Sequence, residues 1–142
     1  MAGICGNFSK EGDCVNDLFW ETHYLQHRAQ NYCGLALCND GKIEPYTHSG
    51  ILKEQFQRER RSTFRGQHGI GAVASDRQPI SELSKSGGYL FCFDGNVINY
   101  QELKDKMLKS GAVLSGYNAP EEVKDTSLVS RIISGGRNFE SG

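Results

Sequence analysis

There are five cysteines, Cys5, Cys14, Cys33, Cys38 and Cys92, and a thiolate can serve as a nucleophile or a soft metal ligand. An odd number, with no apolar signal segment after the start, argues against a disulfide framework. No two form a C-x-x-C pair, and the four histidines do not supply ligand spacing beside them. Free, mostly buried thiols are therefore expected, with no metal site and no cofactor. The second reactive cluster is basic: Lys53, Arg58, Arg60, Arg61 and Arg65 face only Glu54 and Glu59. A solvated helix face or loop is the expectation there. A phosphate-binding or nucleic-acid-binding surface is the alternative, unsupported by aromatic interleaving or a recognition motif.

These groups sit in a chain of 142 residues, enough for one domain, 1–142, with a core of ordinary size. Sixteen Lys and Arg balance 17 Asp and Glu for a net charge of -1, so no global pull toward nucleic acid or an anionic membrane exists. No apolar run has the length to cross a bilayer, and a soluble, cytoplasmic protein is expected.

The elements that must hold the reactive groups can be read from spacing. Gly3 to Phe8 is short and partly apolar and is expected to be a strand. Val15, Leu18, Phe19, Thr22 and Leu25 have helical spacing after Asp13, a candidate N-cap. "YCGLALCNDGKIEPY" predicts two strands joined at Asp40-Gly41. "GQHGIGAVAS" predicts a strand entered through glycines, and "GGYLFCF" one buried on both faces. After the turn "DGN", Asn99 and Glu102 can form a capping-box variant for a helix carrying Leu103, Met107 and Leu108, ended by Gly111. A last helix is expected near Thr126 to Ser134, with Leu128, Val129, Ile132 and Ile133 inward and Gly135-Gly136 stopping it. Strands and helices mix without strict alternation, which means α+β.

Five segments in this order resemble the glutaminase domain of class II, or N-terminal nucleophile, glutamine amidotransferases. These are Met1-Ala2-Gly3-Ile4-Cys5-Gly6, "LQHRAQNYCG" (25–34), "GIGAVAS" (69–75), "DGN" (94–96) and "KDTS" (124–127). They span nearly the whole chain, and their flavour is nearest the amidophosphoribosyltransferase and glutamate synthase branches. The resemblance implies a four-layer αββα sandwich, incomplete at the C-terminus because family chains continue into further strands after the "KDTS" helix.

The family releases ammonia from the side-chain amide of glutamine. Its members begin Met-Cys-Gly-Ile; removal of Met leaves an N-terminal Cys whose amine, titrating at about 7.7 to 8.0, serves as general base. The thiolate forms a thioester through an oxyanion that requires hydrogen-bond donors. Here the nucleophile position is Ala2, which has no attacking atom. Cys5 lies an odd number of residues away on a strand, so it is expected to point to the opposite face and pack there.

The resemblance puts the substrate-carboxylate Arg on Ala74 and a His on Ala72, leaving Arg77 as an outlying surface charge. The oxyanion-hole Asn and Gly fall on Asp94 and Gly95, and an ionised Asp accepts hydrogen bonds but cannot donate them. Asp125 matches the residue that receives the substrate's amino group and also suits the N-cap of the last helix. His27 and Arg28 match a supporting helix and loop, where a structural role suffices.

Three departures in three parts of the machinery predict a glutaminase-like domain that does no glutaminase chemistry. It would be a subunit or regulatory, partner-binding piece of an amidotransferase or glutamate synthase-like system. The first alternative is a genuine glutaminase inactivated by Cys→Ala at position 2. The second is a basic-patch nucleic-acid-binding module. Expected partners are glutamine or a related small ligand, and another protein chain or a second copy; no membrane, and nucleic acid disfavoured.

Overall fold

The computed structural model describes residues 2–84, 87–109, 128–130 and 132–133. Strand β1 (Ala2–Phe8) leads through a loop to helix α1 (Val15–Tyr24). Asp13 caps that helix from one residue outside the expected place: Oδ1 accepts the Val15 N–H at 2.7 Å and Oδ2 the Gly66 N–H at 3.2 Å. Strands β2 (Tyr32–Asn39) and β3 (Lys42–Ser49) form the expected hairpin. Asp40 (φ 51°) and Gly41 (φ 78°) both take the left-handed conformation that a two-residue hairpin turn with matching twist demands. Two short helices, α2 (Leu52–Gln55) and α3 (Arg58–Arg61), precede β4 (His68–Ala74).

These four strands make one antiparallel sheet in the order β1-β4-β2-β3. Residues directly opposed across it share a face. One face carries Cys33, Leu35, Leu37 and Val73 and packs on Leu18 and Phe19 of α1, Leu52 and Phe56. Leu18, Phe19, Leu35, Leu52 and Phe56 have no exposed surface, and each contributes about 1.5–3 kcal/mol by leaving water. The helix lies close because the sheet beneath it is glycine at the crossing. A Cβ on Gly71 would stand 1.9 Å from Thr22 Oγ1. Thr22, the polar member of the α1 face, is fully buried; its hydroxyl donates to Leu18 O at 2.7 Å.

A second, two-stranded sheet pairs β5 (Ile80–Ser84) with β6 (Gly87–Phe91). It lies against the other face of the first sheet, where a Cβ on Gly88 would meet Ile43 at 3.5 Å. On its far side Tyr89 Oη donates to Ser130 O at 2.9 Å, tying β6 to the helical residues 128–130. Helix, sheet, sheet and helix therefore stack in the expected αββα order. Helix α4 (Tyr100–Lys109) starts where Asn99 predicted, with the Leu103 N–H donating to Asn99 O. Among the described residues no helix is long and apolar enough to cross a membrane.

Three expectations need correction. Strand β6 is not buried on both faces: its glycines are exposed and Tyr89, Leu90 and Phe91 half-buried, and among the described residues its one strand neighbour is β5. That neighbour, β5, was not anticipated; its alternation of Ile80, Glu82 and Ser84 with Ser81 and Leu83 is too polar to read as a strand. In the last helix Leu128 is buried, but Ile132 and Ile133 are exposed (36% and 57%). The Ser130–Tyr89 contact fixes which side of this helix meets the sheet. Gly111, Lys124–Ser127 and Gly135-Gly136 lie outside the described residues.

Candidate functional site

The first residues of β1 and the last of β4 meet at one corner of the sheet. Ala2 stands opposite Ala74, and Ala74 opposite Tyr32 on its other side. Ala72 is one step inward on the same face, opposite Ile4 and Gly34. Ala2, Ala72 and Ala74 are buried, at 2%, 0% and 0% exposure. The corner is thus a floor of three methyl groups, able to exclude water but not to attack, donate or hold charge.

The polar groups at this corner arrive from the 3-10 turn Gln26–Arg28 and from the turn at Asp94-Gly95. The Ala2 N–H donates to Asp94 Oδ1 at 3.0 Å. Asp94 Oδ2 pairs with Arg28 Nη2 at 3.1 Å, and Arg28 Nε donates to Ala2 O at 2.7 Å. A closed ring of hydrogen bonds results: the guanidinium grips the carbonyl of residue 2, and the carboxylate grips its N–H. Arg28, expected in a supporting role, holds the carbonyl of residue 2 and the Asp94 carboxylate together. The cation and the anion lie 66 residues apart, so only the fold brings them together.

Asp94 is aimed by Gln78, a residue the sequence did not single out. Gln78 is 1% exposed and its carboxamide clasps the residue before Asp94. Nε2 donates to Phe93 O at 2.9 Å and to Asp76 Oδ1 at 2.7 Å, while Oε1 accepts the Phe93 N–H at 2.6 Å. Gly95 follows because a Cβ there would lie 2.6 Å from the Phe93 ring. Arg77 is exposed, and His27 is exposed with Nδ1 near Tyr24 O at 3.1 Å. Asp125 lies outside the described residues.

Cys5 faces away from the corner. Its Sγ lies 3.1 Å from Thr22 Oγ1 of α1, on the packed side of the sheet. Burial, ahead of the Thr22 contact that opposes it, raises its thiol above the ordinary value. Burial pushes Cys33 up to about 12 and Cys92 up to about 11. All three thiols are held in their protonated, poorly nucleophilic form at neutral pH. Among the described residues no group of three or more His, Cys, Asp or Glu is placed to hold a metal ion.

The solved glutamine phosphoribosylpyrophosphate amidotransferase of Bacillus subtilis, complexed with ADP and GMP, superposes on 94% of this chain with a TM-score of 0.77 at 22% identity. The chain has the amidotransferase fold of the N-terminal nucleophile type. A structure described as the allosteric regulatory enzyme of purine biosynthesis matches equally well, with a TM-score of 0.76 over 94% of the chain. In sequence, the chain is 26% identical over 144 residues to the amidophosphoribosyltransferase of Archaeoglobus fulgidus, covering 94% of itself and 30% of that protein. Its identity to the Bacillus subtilis amidophosphoribosyltransferase is 24%, over 95% of itself and 30% of that protein. No family model matches. The chain spans less than a third of the length of these relatives.

Proposed function

We propose that this chain is a glutaminase-type domain that does not cleave glutamine and acts as a non-catalytic, partner-binding piece of a cytoplasmic amidotransferase system. The observation that carries this reading is the Asp94 carboxylate bonded to the N–H of Ala2. In the amidotransferase reaction, residue 2 supplies the thiolate and position 94 donates a hydrogen bond to the oxyanion. Here residue 2 ends at a methyl group, and position 94 presents an anion already occupied by Ala2 and Arg28. An acceptor in place of one donor costs at least about 3 kcal/mol of transition-state stabilisation. Ala74 also leaves the substrate carboxylate without its guanidinium, and Arg28 is spent on Asp94.

Restoring the thiol alone is expected to fail, because three requirements are missing together. In the test, wild-type protein and the A2C variant are incubated with glutamine, ammonia is measured, and glutamine is titrated calorimetrically into wild type. No saturable heat and no ammonia from A2C are expected. Saturable glutamine binding, or ammonia released by A2C, would overturn the proposal in favour of a glutaminase disabled at one position.

A further inference from the structure

We propose that the cleft between the start of α1 and the segment from α3 to β4 binds a small phosphate-bearing ligand through Arg58, Arg61 and Arg65. This cleft lies on the helical side of the first sheet and shares no residue with the Ala2–Asp94 corner. Its volume is about 280 Å³, with Asp13, Asn16 and Ser62 lining it beside the three arginines. That size is at the lower end for ligand sites, which suits a phosphate monoester or sugar phosphate rather than a larger molecule.

Charge decides the class of ligand. Three guanidiniums meet one carboxylate, and Asp13 has both oxygens committed to the N–H groups of Val15 and Gly66. Two positive charges remain uncompensated, matching a phosphate dianion. Among the described residues no Asp or Glu forms an ion pair with Arg58, Arg61 or Arg65; the ion pairs found there are Arg28–Asp94, Lys42–Glu44 and Lys106–Glu102. Crowding is felt within the cleft: burial, then the charge of Arg58, depresses the Arg61 guanidinium.

Two of the three arginines are already oriented. The Arg61 guanidinium lies 3.8 Å from the Phe19 ring centroid and donates Nη1–H to Phe56 O at 2.9 Å. Arg65 Nη1 donates to Ser62 O at 2.8 Å and to Phe64 O at 2.6 Å. A guanidinium has five N–H donors, so each retains a free edge for planar, bidentate contact with phosphate oxygens. Holding the planes in advance lowers the entropy lost on binding.

The probe is inorganic phosphate, titrated calorimetrically into the full chain at constant ionic strength. Saturable binding in about the millimolar range is expected. R58Q removes a side chain with no hydrogen bond among the described residues, so folding is spared, and binding should weaken about tenfold or more. R60Q removes the same charge from outside the cleft and should leave binding unchanged. Absence of saturable binding, or equal loss in R58Q and R60Q, would overturn the proposal. So would tighter, steeply salt-dependent binding of a DNA or RNA oligonucleotide, which would make this surface a nucleic-acid patch.

Discussion

The two faces of the four-stranded sheet are built from different side chains. Toward α1 the sheet presents Cys33, Leu35, Leu37 and Val73, locked against Leu18, Phe19 and Phe56. Toward the second sheet it presents small residues, Ala2, Ala36, Ala72, Ala74 and Gly34, together with Ile4 and Phe8, which are 43% and 70% exposed. Stability is concentrated on the first face. On the second, the polar groups Arg28 and Asp94 bond to the backbone of residue 2. The packed core and the Ala2 corner thus rest on opposite sides of the same strands.

The contrast can be broken most strongly on the packed face. Leu35→Ala removes a fully buried side chain and should cost about 3 kcal/mol in urea unfolding. A loss below about 1 kcal/mol would show that this face does not dominate stability.

Alkaline pH attacks the same face more gently. Burial raises Cys33 from 9.0 to about 12. Above pH 9 the unfolded thiol loses its proton while the folded one keeps it, so the unfolded state binds fewer protons and stability falls as pH rises. The stabilisation is whole below pH 9 and is lost on the way to pH 12, at about 1.4 kcal/mol per pH unit. Urea unfolding of Cys33→Ala at pH 8 and pH 10 should show a shallower fall than wild type; identical slopes would refute the assignment.

The smallest effect belongs to the open face. Phe8→Ser should change stability by less than about 0.5 kcal/mol, since the ring is mostly in water already. A larger loss measured in the same urea series would mean that Phe8 is covered in solution.

Much of this fold was legible before any coordinates. The spacing of Val15, Leu18, Phe19 and Thr22 marks α1, and Asp40-Gly41 marks the hairpin, because both signals are local. Strand β5 was not legible: its residues are mostly polar, and it exists by pairing with β6. Ile132 and Ile133 misled for a related reason. Helical spacing says that a face is apolar, while the anchor from Ser130 to Tyr89 decides which face turns inward. At the site, the methyl groups of Ala2 and Ala74 were readable by position. Gln78 was not, since a buried carboxamide looks like a loop residue until its partners are known; Arg28 was marked only by resemblance, and its partners Ala2 and Asp94 came from the fold.

By itself the sequence determined which side chains exist and which strand face each one takes. Ala2 carries no sulfur, Asp94 cannot donate from its carboxylate, and Cys5 cannot share a face with residue 2 on a strand of alternating side chains. Only the tertiary structure decided that Arg28 and Asp94 close over residue 2, and that Arg58, Arg61 and Arg65 converge on one cleft. Those contacts join residues up to 92 positions apart, and no local periodicity encodes a distance closed by the packing of the whole chain.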